Sequence, residues 1–579
     1  MRRRHAPLAA GLVLALASLT GCLAVPDHGP VVEAGDSSDI RAGEPPDIVP
    51  ATPEPGESAS DIVRHFLEAM RASPIDTTIA KQFLTKEAAA TWSPELATIT
   101  YASTSAPFGV SPLKVRLLDA AHYDDRGTYL GALPAAERTL SFPLQLEDGE
   151  WRIAEAPNAL IVNDDWFNQR FAQVSLYFFD PSGKYLVPEP VFLPRGDQLP
   201  TALMQGLLAG PPAGLSRVER TFIPAGTALD LSVPPVSDSS GLADIALSGV
   251  GGQQSADSAT LMLAQLSWTL RQVPGVKTLS VTVDGQPLIA PSGSKTVPVD
   301  GHAEADPTGW LASATPFGLW KGLLVGDAVA NPQPVAGPFG LKKRALRSVA
   351  VDPYNIKVAG VDATGKSVQV TSLSAPDARV STVATGATNL MPPAWDLAGR
   401  LWLVDRRNDG AIVEVYTGGS SPVEVPAPGI AGQRVRSFEV SRDGTRFVAV
   451  LTGADGDTVV VSRVERRLDG SVRLTPAVAL PSPSGTALRV EDIGWSSPIT
   501  ATVLSSLTDD VSQLSAVPLD GSPGRTITTV PGVQRWLVSS PVETEPTYVV
   551  SGDGIVDLSS GRAAQRQDGL LLSSLTYVG

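Results

Sequence analysis

The sequence has 579 residues, 43% of them hydrophobic and 18% charged, which suits several folded domains. A formal net charge of −15 argues against a nucleic-acid partner, because an acidic surface repels phosphate backbones. The single cysteine excludes an intrachain disulfide and a thiolate zinc cluster, and 53 glycines with 50 prolines predict many turns and short elements.

The first segment reads as a lipoprotein signal, residues 1–21. Arg2, Arg3 and Arg4 precede an apolar run from Leu8 to Leu19, and small residues follow. The run is short for a spanning helix, which needs ~20 apolar residues. The lone cysteine, Cys22, comes directly after Leu19, Thr20 and Gly21. That order resembles the bacterial lipobox, and the resemblance implies that Cys22 receives a diacylglyceryl group and becomes the new N-terminus. Two or more acyl chains give stable anchoring where one is marginal. A chance thiol in a plain secreted protein would leave its position and flanks unexplained.

Residues 22–58 are rich in proline and acids and show no apolar period, so they are expected to form a disordered tether. Fully extended, such a segment reaches ~100 Å; as a coil it averages ~35 Å.

Residues 59–180 open with Ile62, Phe66, Leu67 and Met70 at helical spacing, with Ser58 or Ser60 as cap candidates. A second helical stretch, TTIAKQFLTKEAAATW, follows. Strands come next, and the Glu147-Asp148-Gly149 turn predicts a hairpin ending in GEWRI. Helices before a curved antiparallel sheet resemble the NTF2-like cone, a fold able to hold a ligand or a catalytic acid. The polar candidates for such a cavity are His65, His122 and Asp124, with surface or turn positions as the alternative.

Residues 181–300 predict a helix in LPTALMQGLLAGPPAG, a strand pair in TFIPAGTALDLSV, a strand in GLADIALSG and a long helix ended by Pro274-Gly275. Ser255 and Ser258 are read as capping residues of that helix. LLAGPPAG, IPAGT and AQLSWTLRQVPGVKTLSVTVDGQPL resemble the GerMN domain of sporulation proteins, which implies a small α/β module without known catalytic residues.

Residues 301–579 lack helical periodicity in their main part. RSFEVS, RFVAVLTG, TVVVSRVERR and VRLTPAVAL are four strands joined by Asp-Gly turns, which is one propeller blade. Related pieces recur from residues 348, 393, 438, 492 and 536, a spacing typical of blades. The expected fold class is therefore multidomain α+β and all-β, with a C-terminal β-propeller of five blades, or six if residues 300–345 supply one.

Several motifs suggest chemistry. Gly360 to Ser367, GVDATGKS, matches the P-loop pattern, but a P-loop needs a helix after it, and the alternating SVQVTSL reads as a strand. With four histidines after residue 21 (His28, His65, His122 and His302), a Ser-His-Asp triad or a histidine zinc site is hard to assemble. Asp455-Gly456-Asp457 reads as a solvated turn, with Ca²⁺ as the alternative. LKKRALR, 341–347, is the one basic cluster, a solvated edge or a contact for an acidic partner.

Lipobox, acidic tether, NTF2-like region, GerMN-like domain and propeller, in this order, resemble the LpqB lipoprotein family of actinobacteria; LYFFDPSGKYLVPEPVFLPRG, 176–196, resembles the corresponding stretch of that family. The resemblance implies a non-enzymatic regulator, lipid-anchored on the extracytoplasmic face of the cell membrane, without a cofactor or metal. The implied partner is the extracytoplasmic domain of a sensor histidine kinase of the Mtr type. Two other classes stay open: an envelope enzyme using paired carboxylates, and a cell-wall glycan binder using Trp395, Trp402 and Trp495, for which blade-core packing is the other role.

Overall fold

The computed structural model describes residues 47–234, 240–249, 255–290, 292–419, 421–467, 469–483, 485, 489–552, 554–559, 562–564 and 572–579. Leu19, Thr20, Gly21 and Cys22, the signal segment and most of the expected tether lie outside them. Among the described residues no helix is long and apolar enough to cross a membrane.

The last part of the expected tether is a correction. Ile48 and Ser73 exchange backbone hydrogen bonds of 3.1 and 3.0 Å, and the Gly56 amide donates to Glu150 Oε2 at 2.9 Å. These contacts hold residues 47–58 against the first domain. Ser58 then caps the helix Ala59–Ala69, its Oγ accepting from the Asp61 amide at 3.2 Å. The second expected helix splits into Thr78–Lys81 and Lys86–Thr91, because Thr85 restarts it by accepting from the Ala88 amide.

The strands of this domain form a four-stranded, a three-stranded and a two-stranded sheet rather than one continuous surface. The hairpin Leu144–Glu147/Glu150–Ile153 has Asp148 and Gly149 at φ 54° and 86°, the left-handed pair that a two-residue turn requires. Phe66 fills the interior, with ring centroids 5.4 Å from Trp92 and 6.1 Å from Phe142.

The second domain begins earlier than expected. The long hairpin Phe171–Phe179/Leu186–Pro194 buries Val174, Leu176, Phe178, Val191 and Leu193 against the helices Leu199–Leu208 and Ala256–Leu270. The boundary expected at 180/181 therefore falls inside the turn of that hairpin, and the cores divide at 171/172. Ser255 caps the longer helix, accepting from the Ser258 amide at 3.1 Å. Leu242–Ser248 runs parallel to Thr278–Val283. The strand pair expected in 221–233 reduces to Ala228–Leu229, since its first half is a loop tied to Gln265.

Among the described residues the propeller has six blades. Five are consecutive four-stranded sheets that start at Leu346, Ala394, Val435, Arg489 and Gln534; the outer strand of the blade that starts at Val435 is in two pieces, Val472–Leu474 and Val478–Ala479. The remaining blade is composite. Phe317–Trp320, Leu323–Gly326 and Gln333–Pro334 supply three strands, and Leu572–Thr576 pairs with Phe317–Trp320 as the innermost one. We call this composite sheet blade 1 and number the others 2 to 6 in chain order. An apolar seam fills each gap between neighbouring blades, including the gap between blades 6 and 1, where Val538, Tyr548 and Val550 meet Tyr577. Closure packs every blade between two neighbours and leaves only short edges at the outer strands.

Candidate functional site at the domain seam and propeller axis

The innermost strands of the blades all run the same way, so the loops that follow them gather on one face. The second domain is docked there. Tyr354, in the loop of blade 2, places its hydroxyl 2.5 Å from that of Tyr185 at the tip of the long hairpin. Gln173 Nε2 donates to Asp520 Oδ2 of blade 5 at 2.9 Å. Between them lies a buried charge cluster. Glu189, on the hairpin, accepts from Arg446 of blade 4 at 2.9 Å and from Arg463 of the same blade. Burial raises the Glu189 carboxyl, but the charges of Arg463 and Arg446 outweigh it and hold it below the usual range. No donor reaches the fully buried carboxyl of Glu219. Burial, then the Glu189 charge, push Glu219 well above the carboxylate range, so it keeps a proton and faces Glu189 with it.

Arg442 closes the axis on this face. Its Nε donates to the Val578 carbonyl at 3.0 Å, Nη1 to the Thr308 carbonyl at 3.0 Å and Nη2 to Ser540 Oγ at 3.2 Å. One guanidinium thus joins the segment entering the propeller, the segment leaving it, and blade 6. Burial pulls Arg442 down to about 10, still protonated at neutral pH.

Two acids occupy the innermost strands behind it. Asp492 accepts from Ser437 Oγ at 2.7 Å, the Ile493 amide at 3.0 Å and the Leu537 amide at 3.0 Å, bridging blades 4, 5 and 6. Burial pushes Asp492 up to about 6 against those donors. Glu439, on blade 4, is pushed up to about 8 by burial and then by the Asp492 charge.

A cleft of about 380 Å³ opens beside the seam, walled by Phe179, Tyr185, His302, Glu304, Trp310 and Tyr354. Trp310 is 56% exposed there.

The residues singled out by the sequence hold structural positions. His65 Nδ1 lies 3.2 Å from Glu57 Oε1, His122 Nδ1 lies 3.2 Å from the Gly131 carbonyl, and Asp124 Oδ1 accepts from the Arg126 and Thr128 amides. Trp395, Trp402 and Trp495 are buried between blades, so the sugar-stacking alternative for them fails. Asp457 accepts from Arg436 and from the Val490 amide.

GVDATGKS is the turn between Lys357–Asp362 and Val368–Ser372 of blade 2, with a strand where a P-loop has its helix. Asp362 accepts from Thr364 Oγ1, the Lys366 amide and Ser367 Oγ, and despite some burial these bonds draw it down to about 2. Gly365, at φ 71°, leaves space that the Arg347 guanidinium occupies; a Cβ would collide with it.

The seam was not visible in the sequence. Glu189 and Arg446 are 257 positions apart, and no local pattern links them.

Three family models match in order: the N-terminal domain of lipoprotein LpqB over residues 52–168, the sporulation and spore germination domain over 175–289, and the LpqB β-propeller domain over 322–571. Lipoprotein LpqB of Streptomyces coelicolor is 26% identical over 605 residues, covering 98% of this chain and 97% of its own length. The chain belongs to the LpqB lipoprotein family. LpqB of Thermobifida fusca is 29% identical over 586 residues, covering 89% of this chain and 92% of its own. Among solved structures, a chain of a nidogen/laminin complex matches with a TM-score of 0.32 and 14% identity, over 46% of this chain and 98% of its own length. The matched relatives are named lipoproteins, and none of the three matched domains is named for a catalytic activity.

Proposed function

We propose that this LpqB-family protein is a non-enzymatic regulator, anchored through a lipid on Cys22 at the outer side of the cell membrane, that binds the sensor domain of a histidine kinase. One observation carries this reading. Among the strongly perturbed groups, Glu189, Glu219 and Arg446 join the domains, Arg442 and Asp492 tie the ring together, and Glu439 lies on an innermost strand within it. What remains outward is the broad propeller face opposite the seam, a surface suited to a protein. Confinement to the membrane raises the effective concentration of anchor and receptor for each other, so modest affinity suffices. A regulator must also bind the kinase's states unequally.

The test is direct binding of the purified full-length protein to the kinase's extracytoplasmic domain, with response-regulator phosphorylation compared in wild-type and deletion strains. Binding with altered phosphorylation is expected. No binding at high micromolar concentration, with unaltered phosphorylation, overturns the reading. Cys22→Ser should move the protein from the membrane to the soluble fraction and restore regulation poorly.

A second reading rests on the cleft beside the seam. Exposed Trp310, next to Tyr185 and Tyr354 and rimmed by His302 and Glu304, has the mix of aromatic faces and polar groups that suits a cell-wall sugar. Binding of muropeptides that Trp310→Ala abolishes would favour it.

A further inference from the structure

The face of the propeller opposite the seam carries the turns between second and third strands and the crossings from one blade to the next. Backbone bonds tie these together: Leu390 to Gly365, Arg406 to Asn389, Arg344 to Gly322. Cations concentrate there although the chain carries a net charge of −15. Lys342 and Lys343 flank the Lys321-Gly322 turn of blade 1, Lys366 sits in the turn of blade 2, and Arg347, Arg406 and Arg434 lie around the channel mouth. None of these seven makes an ion pair with a carboxylate among the described residues. Asp409 and Asp455 lie exposed in the turns of blades 3 and 4, but the other acids of blades 2 to 4 on this face are engaged. Asp362 holds its own turn, Asp405 accepts from the Thr388 and Asn389 amides and from Arg407, and Asp457 takes Arg436.

Two features make this more than scattered surface charge. Arg347 is oriented by neutral acceptors, the side chain of Asn389 and the carbonyl of Leu390, so its position is fixed while its charge stays uncompensated. Arg406 is exposed and stands close enough to Arg347 and Arg436 for their like charges to act on it; the protein packed around its stem first, then those charges, lower its affinity for its proton. Such a group gains from an incoming anion more than a fully solvated lysine does. Leu341, 57% exposed, sits among these cations, and Val533 (52%) and Trp536 (43%) are exposed on blade 6, the neighbour of blade 1. A site for a simple polyanion needs no such residues. A mixture of arginine, tryptophan and aliphatic residues is the composition of protein interfaces.

We propose that this cationic face of blades 1 to 4 is the docking surface for an acidic protein surface. It rests on the reading above in taking that partner as the kinase sensor domain. It adds the face used, the sign of the partner's surface and a dependence on salt.

The test uses the full-length protein, its Lys342→Glu/Lys343→Glu and Lys343→Glu/Arg406→Glu variants, and a control, Lys81→Glu/Lys114→Glu, with reversals of equal number on the first domain. The probe is the purified sensor domain. Wild-type binding should weaken about 5-fold or more between about 50 and 300 mM salt, and each cationic-face variant should weaken it about 10-fold or more at low salt, with the control near wild type. Circular dichroism and melting of each variant verify folding, and the first pair lies on exposed loop positions. Wild-type binding that the reversals leave unchanged overturns this inference while the proposed function stands. If wild type does not bind the sensor domain, the proposed function falls, and a twelve-residue polyglutamate peptide decides the inference. Salt-sensitive peptide binding lost in both variants supports it; no peptide binding overturns it. Binding only to phosphatidylglycerol vesicles, lost in the same variants, also overturns it and makes the face a membrane contact.

Discussion

Arg446 of blade 4 donates to Glu189 of the second domain at 2.9 Å, with both side chains enclosed at the domain seam. Removing one member of such a pair leaves the other as an uncompensated buried charge. Glu189→Ala or Arg446→Ala is expected to cost ~3–5 kcal/mol, read by denaturant unfolding, and to split one calorimetric transition into two as propeller and second domain uncouple. Glu219→Gln, which replaces a protonated acid with a neutral amide, should cost less than ~1.5 kcal/mol. Equal losses for Glu219→Gln and Glu189→Ala would contradict the protonated state assigned to Glu219.

Arg442 spans three partners on the axis, so its replacement should loosen the ring at its ends. Arg442→Met keeps the volume but leaves two carbonyls and the Ser540 hydroxyl without their donor. A loss of ~2–4 kcal/mol is expected, together with faster hydrogen exchange in residues 572–579. Unchanged exchange there would show that the ends are held by strand pairing alone.

Glu439 gives the propeller a pH dependence of definite sign. Its carboxyl is pushed from 4.5 up to about 8 in the ring, so the folded state keeps a proton that the unfolded chain has released. Stability is therefore highest below about 4.5 as far as this group is concerned, and falls as pH rises from there to about 8. Asp492, pushed from 3.8 up to about 6, acts in the same sense over its own window. Glu439→Gln should flatten the dependence of Tm on pH between about 5 and 8 and raise Tm at pH 8. A variant that keeps the wild-type slope would place the titration elsewhere.

In the blade 2 turn, the aspartate matters and the lysine does not. Lys366→Ala should change stability by less than ~0.5 kcal/mol and confer or remove no nucleotide affinity. Asp362→Ala removes the acceptor for three donors and should cost ~1–2 kcal/mol. Lys366-dependent ATP binding, measured calorimetrically, would reverse this assignment.

The repeating parts of the molecule were legible in the sequence because each blade carries its own strands and turns at nearly constant spacing. Blade 1 was legible only as a possibility. Its three short strands, Phe317–Trp320, Leu323–Gly326 and Gln333–Pro334, lack the innermost partner that would complete the pattern, and that partner lies at Leu572–Thr576. The cap at Ser58 and the hairpin at Asp148-Gly149 depend on neighbours within a few residues and could be read directly. Glu189 and Glu219 could not, since an acid in a strand or loop looks solvated until the domain that buries it is known. The boundary after residue 171 was missed for a related reason: the strand Phe171–Phe179 follows the helix Asp164–Arg170 with no linker between them, and only the core that Ala172 and its successors enter shows which domain owns it.

The composite blade also fixes an order of events. Synthesis proceeds from the N-terminus, so blades 2 to 6 all exist before the strand that completes blade 1 has been made. Until then the sheet of residues 317–334 has an open inner edge, and the 6-to-1 seam lacks Tyr577. The ring therefore acquires its full cooperativity in a single late step, with contacts that are among the most distant in the chain and correspondingly slow to form. Nascent chains stalled anywhere between residues 334 and 572 share one exposed edge, which gives a binding chaperone or protease a uniform mark of incompleteness that the finished ring no longer displays.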